Sequence, residues 1–177
     1  GNFHGDYIAS AVDQLKINLV KLTILSERRT NFFLNHKING FLPPFLNLKK
    51  VGLNLGLQGL QFVGTSTTAQ SQTLAFPHSV HSISTNGDNQ DVVSMGTDAT
   101  LLAMKVIENA YIVLQIELIS LTQAVDFLNL RNKLSAESKK MFDGLRSVFA
   151  PVREDRIINK ELEKITSNLK QLEFNRL

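Results

Sequence analysis

Two amides and two carboxylates stand side by side in the segment 81–96, which reads HSISTNGDNQDVVSMG. These residues, Asp88, Asn89, Gln90 and Asp91, come directly before a strongly apolar stretch. An amide side chain donates and accepts hydrogen bonds at once, whereas an ionised carboxylate only accepts them. The surrounding residues 76–93 have little periodicity and predict a loop, and a polar loop of this length inside a compact domain is typical of a functional segment.

Structural roles for the same residues stay open as alternatives. Asn89 and Gln90 could cap the helix that follows, and Asp91 or Ser94 is a more natural helix cap than a ligand. Phe3 stands just before a predicted helix start, where it could serve as a hydrophobic staple.

Other kinds of chemistry find little support along the chain. His78 and His81 are three residues apart, but no third ligand stands at a suitable spacing, so no metal site is expected. The glycines at 52–64 do not form a GxGxxG motif and follow no strand, so no dinucleotide loop is expected.

Composition narrows the class of protein. The 177 residues carry 19 basic and 16 acidic side chains spread along the chain, which argues against nucleic-acid binding. The first residues lack the pattern of a signal peptide, and the most apolar stretches, 51–64 and 110–121, contain polar residues, so we expect no membrane span. The chain has no cysteine, which fits a reducing cytoplasm.

Helical periodicity indicates an all-α fold built from long helices. Helices are predicted from Asp6, a plausible N-cap, to about 34–36, over about 53–73, over about 97–128, from the cap Ser135 to before Pro151, and from about Glu154 onward. The glycines of the second helix indicate close backbone contacts with its neighbours. Gly40, Pro43 and Pro44 break the chain after the first helix.

Apolar stripes mark the faces of these helices. The stripe of the first helix consists of Ile8, Val12, Leu15, Leu19 and Leu22, and that of the last of Ile158, Leu162, Ile165, Leu169 and Leu172. The helix at 97–128 has apolar residues on almost every face, including a stripe from Ile107 to Leu128. A chain this short cannot bury such a helix alone, so partners are expected.

Five segments together resemble the aromatic amino acid ammonia-lyases, the family of histidine, phenylalanine and tyrosine lyases and related aminomutases. They are GNFHGDY at 1–7, SERR at 26–29, GLNLGLQGLQFVGTSTTAQSQ at 52–72, the loop at 81–96 and ENAYIVLQIEL at 108–118. The resemblance covers most of the chain. It implies that residues 1–177 are the C-terminal helical portion of a longer lyase, with long antiparallel helices that form part of a central bundle in a homotetramer.

The resemblance also implies a set of substrate-binding residues. By the family's pattern, Phe3 lies beside the cofactor ring and the substrate, and Asn89 and Gln90 lie by the ammonium and carboxylate of the substrate. The further pocket residues are Asn86, Gln58 and Phe62. Amides suit a zwitterionic amino acid because they bind both charged groups without adding net charge.

The family's cofactor is 4-methylideneimidazol-5-one (MIO), which the protein makes from its own Ala-Ser-Gly. This tripeptide is absent from the sequence, where Ala9, Ser10 and Ala11 are the nearest match. The resemblance therefore implies that MIO forms from residues outside this chain. It also implies that the catalytic tyrosines and the substrate-binding arginine lie outside it. We expect no catalytic residue within the chain and no activity from the chain alone.

Two positions bear on the substrate. Histidine lyases carry Glu where this chain has Gln90, and plant-type phenylalanine lyases carry Glu where it has Asn86. The pattern therefore favours tyrosine, or phenylalanine, converted to the trans-arylacrylate. Histidine ammonia-lyase and tyrosine 2,3-aminomutase remain alternatives within the family, and a non-catalytic helical assembly module is the alternative outside it.

Overall fold

The computed structural model describes residues 3–171 and shows an all-α chain, which confirms the predicted fold class. The helices are α1 (Asp6–Leu34), α2 (His36–Asn39), α3 (Gln58–Leu74), α4 (Gly96–Phe127), α5 (Ala136–Val148) and α6 (Asn159–Lys170). Short 3-10 turns lie at Pro44–Leu46 and Arg131–Lys133. Extended pairing within residues 3–171 is limited to two isolated bridges, Val51 with Asn54 and Thr85 with Gln90.

The ends of α1, α4 and α5 lie close to their predicted positions. Ser135 caps α5 as expected, since its side chain accepts a hydrogen bond from the Ser138 amide. The first acceptor of α1 is the Gly5 carbonyl, which takes hydrogen bonds from Ile8 and Ala9 at 3.0 Å, so the prediction of Asp6 as the cap was wrong by one residue. Gly40 ends α2 in a left-handed conformation, as a helix C-cap requires.

Helices α3 and α6 begin at Gln58 and Asn159, later than the predicted starts near 53 and 154. Gly52 and Gly56 adopt left-handed backbone conformations, with φ values of 91° and 61°, so α3 cannot begin before Gly56. The Asp155 carboxylate accepts hydrogen bonds from the Leu55 amide at 2.9 Å and the Gly56 amide at 3.2 Å, which joins the segments that precede α3 and α6.

The chain divides into two compact units. The first unit comprises the residues up to Leu25 together with Ser66–Ala110, and the second comprises Ser26–Thr65 together with the residues from Tyr111 onward.

The second unit has a core of large apolar side chains. Leu46, Ile119 and Phe149 are completely buried in it, and burial of each such side chain stabilises the fold by about 2 kcal/mol. Helices α1 and α3 run antiparallel here, because Glu27 is hydrogen-bonded to Thr65 and Asn31 to Gln61. A Cβ built on Gly64 would lie 3.6 Å from the Ile116 side chain, so this glycine makes a close helix contact as predicted. Gly59 has no such neighbour.

The interior of the first unit is polar in comparison. Its buried apolar side chains are mostly small, and they are accompanied by Asp13, Lys16, Ser71 and Asn109, all at most 3% exposed. The Asn109 amide donates to the side chains of Gln70 and Ser71, at 2.9 and 3.1 Å. Asn109, Ser71 and Lys16 thus have hydrogen-bond partners in this interior, whereas among the described residues the Asp13 Oδ1 atom has only the Lys16 ammonium as an ion-pair partner, at 2.8 Å.

Apolar side chains remain exposed along both long helices. On α1 the predicted stripe contains exposed Ile8, Leu15 and Leu22, and on α4 the stripe from Ile107 contains exposed Leu114 and Leu121. The last member of the predicted α6 stripe, Leu172, lies outside the described residues.

Helix α4 is long and apolar enough to cross a membrane by length and composition alone. The core helix of a soluble protein meets the same criterion, and α4 carries the buried polar residues Asn109, Gln115 and Gln123. The expected absence of a membrane span stays a prediction.

Candidate functional site

The candidate site lies on the loop between α3 and α4, residues 75–95, which the sequence predicts. The loop closes on itself at its tip, where the Thr85 amide donates to the Gln90 carbonyl at 3.0 Å and the Gln90 amide to the Thr85 carbonyl at 3.3 Å. The Asn89 amide donates to the Asn86 carbonyl at 3.2 Å inside this tight turn. The three predicted substrate-binding amides, Asn86, Asn89 and Gln90, are thereby brought together.

The turn depends on backbone conformations that few residues adopt. Asn86, Gly87 and Asp88 follow one another with φ values of 56°, 60° and 62°. Asn, Asp and Gly are the residues that occupy this left-handed region most readily, so the local sequence explains the turn. The Ser84 hydroxyl donates to the Asp88 carboxylate and braces the turn from one side. Asn86 therefore has a backbone role that is separate from its predicted role in the pocket.

Capping of α4 does not explain the polar residues of this loop. Among the described residues, neither Asp91 nor Ser94 accepts a side-chain hydrogen bond from the first turn of α4, so their interpretation as helix caps was wrong. The Asp91 carboxylate instead accepts from the adjacent Val92 amide at 2.8 Å. Asn89 is exposed and Gln90 is half-buried.

Phe3 belongs to the first unit and projects outward, with 88% of its surface exposed. Its ring packs edge-on against His4, with the ring centroids 5.3 Å apart. This exposure contradicts the alternative of a hydrophobic staple, which requires a buried contact with the first turn of the helix. The preceding residues of the GNFHGDY motif, Gly1 and Asn2, lie outside the described residues.

The remaining predicted pocket residues, Gln58 and Phe62, belong to the second unit. Gln58 is the first residue of α3 and is half-buried, and Phe62 follows one turn later with 65% of its surface exposed. Positions four apart on a helix share one face, so these two side chains point the same way.

His78 and His81 pack against each other at the start of the loop. Their ring centroids are 4.9 Å apart, and the His81 ring also contacts Phe76 at 5.5 Å. Groups of three or more potential metal ligands do not occur among residues 3–171. These contacts show that the two histidines pack within the loop.

A buried ion pair beneath the loop is the feature that sequence reasoning missed. The Lys16 ammonium lies 2.8 Å from the Asp13 carboxylate, and the two residues are 0% and 3% exposed. Burial alone would raise the pKa of Asp13, but hydrogen bonds from Lys16 and from the Ser79 side chain and amide hold it well below its usual range. An oppositely charged pair three apart on a helix looks like an ordinary surface pair, so the sequence carries no clear signal for it.

Three comparisons place this geometry among known proteins. A family model described as aromatic amino acid lyase matches residues 1–147. Histidine ammonia-lyase of Staphylococcus aureus is 38% identical over 171 residues, which cover 97% of this chain and 34% of that protein. Tyrosine aminomutase from Streptomyces globisporus matches with a TM-score of 0.92 and 36% identity, over 96% of this chain and 32% of that one. Phenylalanine aminomutase of Pantoea agglomerans matches with a TM-score of 0.91 and 37% identity, over 96% and 33%.

The chain belongs to the aromatic amino acid lyase family, which confirms the resemblance found in its motifs. It spans about a third of the length of the curated relatives that it matches. Their activities, substrates and assemblies therefore bear on this chain only as proposals.

Proposed function

We propose that this chain supplies the amide-bearing part of the substrate pocket in an aromatic amino acid ammonia-lyase that acts on tyrosine or phenylalanine. The assembled enzyme would eliminate ammonia to give the trans-arylacrylate. The observation that carries the proposal is the tight turn at 85–90, which presents Asn89 and Gln90 next to each other in a family whose members act on aromatic amino acids.

Neutral amides suit this task for a physical reason. An amino acid substrate carries an ammonium and a carboxylate, and an amide can accept from the first and donate to the second. Charged side chains in the same place would shift the pKa of the amine that must leave. The turn at Asn86 fixes the backbone of the two amides, which limits the entropy that is lost when substrate binds.

MIO would complete this site from residues outside the chain. The fit rests on the exposed aromatic ring of Phe3, which can lie against a flat ring, and on the turn at 85–90, whose one charged side chain, Asp88, is bound by the Ser84 hydroxyl and adds no cation that would compete with an electrophile. When bound, MIO supplies the electrophile that makes the amino group a leaving group. The residues of this chain would bind and orient the amino acid and exclude water from it.

A homotetramer is proposed on the exposed apolar stripes of α1 and α4. Stripes of this length are unusual on the free surface of a monomer and are typical of interfaces. Copies of the same chain packed along these helices would cover Ile8, Leu15 and Leu22 on α1 as well as the stripe on α4. We propose a cytoplasmic location, in line with the absence of cysteine.

Steady-state kinetics of a Gln90→Glu variant test the proposed substrate. A carboxylate at this position must be desolvated, and an aryl side chain, unlike the imidazole of histidine, offers it no charge or hydrogen-bond donor in return, so kcat/KM for tyrosine and phenylalanine should fall at least tenfold, about 1.4 kcal/mol of transition-state stabilisation. Histidine should lose much less. A Gln72→Glu variant adds the same charge on the exposed side of α3 and should leave kcat/KM for all three amino acids unchanged.

Histidine is the second candidate substrate, because the curated relatives at 38% identity are named histidine ammonia-lyase. A wild-type preference for histidine, or an unchanged ratio of aryl to histidine activity in Gln90→Glu, would remove the aryl assignment. A β-amino acid among the products would identify an aminomutase, the activity named in two of the structural relatives. Family membership supports either enzyme over a non-catalytic assembly module.

A further inference from the structure

The first three turns of α1 hold the beginning of the amide-bearing loop through the buried pair Asp13 and Lys16. The Lys16 ammonium donates to the Phe76 carbonyl at 3.0 Å, and the Ser79 amide donates to the Asp13 carboxylate at 2.8 Å. Each member of the pair therefore binds the loop backbone as well as its partner. These are the first residues of the loop after α3.

The same face of α1 also meets the far end of the loop. A Cβ built on Gly96, the first residue of α4, would lie 3.7 Å from the Ala9 side chain, and Ala9 is fully buried. A Cβ on Gly5 would lie 3.9 Å from the Ser94 hydroxyl. Residues 5, 9, 13 and 16 are spaced four, four and three apart, which places them on one side of the helix.

Between these two ends the loop is held mainly by itself. The Val93 amide donates to the Ser82 hydroxyl at 2.8 Å, and the turn at 85–90 closes through its own backbone. Several apolar side chains of the loop point outward, among them Val80 and Ile83. Where the amides lie therefore depends on how the ends of the loop are fixed.

We propose that Asp13 and Lys16 are positioning residues that set the place of Asn89 and Gln90 through the start of the loop. The proposal rests on the proposed function for its consequence on catalysis, although the anchoring of the loop is independent of it. Neither residue need touch substrate. Their task is to give the loop one position rather than several.

The alternative role for the pair is stability of the fold alone. Two charges taken out of water cost much of what their attraction returns, so an apolar pair of similar size would stabilise the helix about as well. An apolar pair would not, however, bind the Phe76 carbonyl or the Ser79 amide. The backbone hydrogen bonds are therefore what the charged pair adds.

Two double variants in the assembled lyase separate these roles. The apolar double variant, Asp13→Leu with Lys16→Met, removes both charges and both loop contacts. The amide double variant, Asp13→Asn with Lys16→Gln, removes the charges but keeps a donor and an acceptor. An exposed pair of the same spacing on α4, Lys105 and Glu108, gives the matched control as Lys105→Met with Glu108→Leu. The readouts are Tm, kcat and KM, and hydrogen exchange of the backbone amides at 76–93.

The apolar double variant should raise KM about tenfold or more and speed amide exchange in the loop by about tenfold or more, with a smaller change in Tm. The amide double variant should recover most of both losses at a similar Tm, and the control should match the parent. Parent-like KM and exchange in the apolar variant would overturn the proposal. Equal losses in both double variants would also overturn it, because they would assign the effect to charge or packing.

The two proposals fail in different ways. A wild-type enzyme that releases ammonia from none of the three amino acids would remove the proposed function, and the exchange data would then decide the anchoring by themselves. If the apolar variant does not fold, the amide double variant and the single Lys16→Gln variant carry the test, since each keeps a donor for Phe76. Loop exchange in Lys16→Gln that equals exchange in Lys16→Met would then overturn the anchoring.

Discussion

Two long segments between helices differ in what they contribute to a core. The connector between α2 and α3, residues 40–57, places Leu42, Leu46 and Leu57 in the core of the second unit, each at most 4% exposed. The loop between α3 and α4 exposes its apolar side chains, with Ile83 at 71% and Val92 at 58%. The connector also exposes apolar side chains, such as Leu53 at 75%, but it contributes buried residues to a core, whereas no residue of the loop at 75–95 is buried.

The hydrogen bonds of the two segments follow the same division. Gln123, which is fully buried, donates to the carbonyls of Leu46 and Val152 and accepts from the Val152 amide at 3.0 Å. Asp155 binds the end of the connector at Leu55 and Gly56. The connector is thus fixed along its length, whereas the loop is anchored mainly at its ends. Substitutions in the connector should reduce stability, and substitutions at the tip of the loop should affect binding.

The largest expected effect on stability follows from replacing one of two glycines, Gly56 and Gly87, that have nearly the same backbone conformation. Gly56 has φ 61° and Gly87 has φ 60°, but a Cβ on Gly56 would lie 2.8 Å from the Phe45 carbonyl oxygen, and one on Gly87 would meet nothing within 4 Å. Gly56→Ala should lower the free energy of unfolding by about 3 kcal/mol or more, because strain and a backbone clash add. Gly87→Ala should cost about 1 kcal/mol from strain alone.

Chemical denaturation of both variants measures the difference. Equal losses of stability in Gly56→Ala and Gly87→Ala would contradict the comparison, because the loop tip would then be packed as tightly as the connector. Activity of the assembled enzyme gives a second reading, since only Gly87→Ala lies next to the amides that are proposed to bind substrate.

The second effect in size concerns Gln123. Replacement by Leu keeps the bulk of the side chain but leaves the Leu46 carbonyl and both backbone groups of Val152 without this partner in the core. We expect the free energy of unfolding to fall by about 2–4 kcal/mol, since each buried unpaired group costs about 1–3 kcal/mol. Gln72→Leu on the exposed side of α3 is the matched control and should change stability by less than about 0.5 kcal/mol.

Thermal unfolding of both glutamine variants decides this prediction. A Gln123→Leu protein as stable as the parent would mean that the connector is held by its apolar side chains alone. The polar contacts that distinguish the connector from the loop would then contribute nothing to the free energy of unfolding.

Local patterns were sufficient to predict the long helices and the position of the loop. Helices α1 and α4 extend for 29 and 32 residues, and such length carries enough periodicity to fix type and approximate bounds. The predicted start of α3 was wrong because Gly52 and Gly56 adopt left-handed conformations that interrupt the helix, while the Leu55 and Gly56 amides bind Asp155, about a hundred residues away along the chain. No local pattern reports a contact of that separation.

The candidate site, too, could be predicted only where its residues are close together in the sequence. The amides and the αL-prone residues of the turn stand next to one another in the sequence, so the loop could be predicted directly. The anchor formed by Asp13 and Lys16 could not, because their loop partners lie 66 and 60 residues away. The pocket roles of Phe3 and the amides stay predictions, since they depend on residues outside the chain.

Replacement of Asn86 should have the smallest effect on stability. It is also the most direct test of whether the tip of the loop, unlike the connector, affects binding. Asn86 has φ 56°, which glycine adopts without strain, so Asn86→Gly should change the free energy of unfolding by less than about 0.5 kcal/mol. The side chain is nevertheless lost, and if it lines the pocket, KM for the aryl substrate should rise by about threefold to tenfold at nearly constant kcat, the mark of lost uniform binding. Steady-state kinetics beside thermal unfolding give both numbers from one preparation. Unchanged KM together with unchanged stability would show that Asn86 serves only the turn, and the pocket assignment of this residue would have to be withdrawn while those of Asn89 and Gln90 remained.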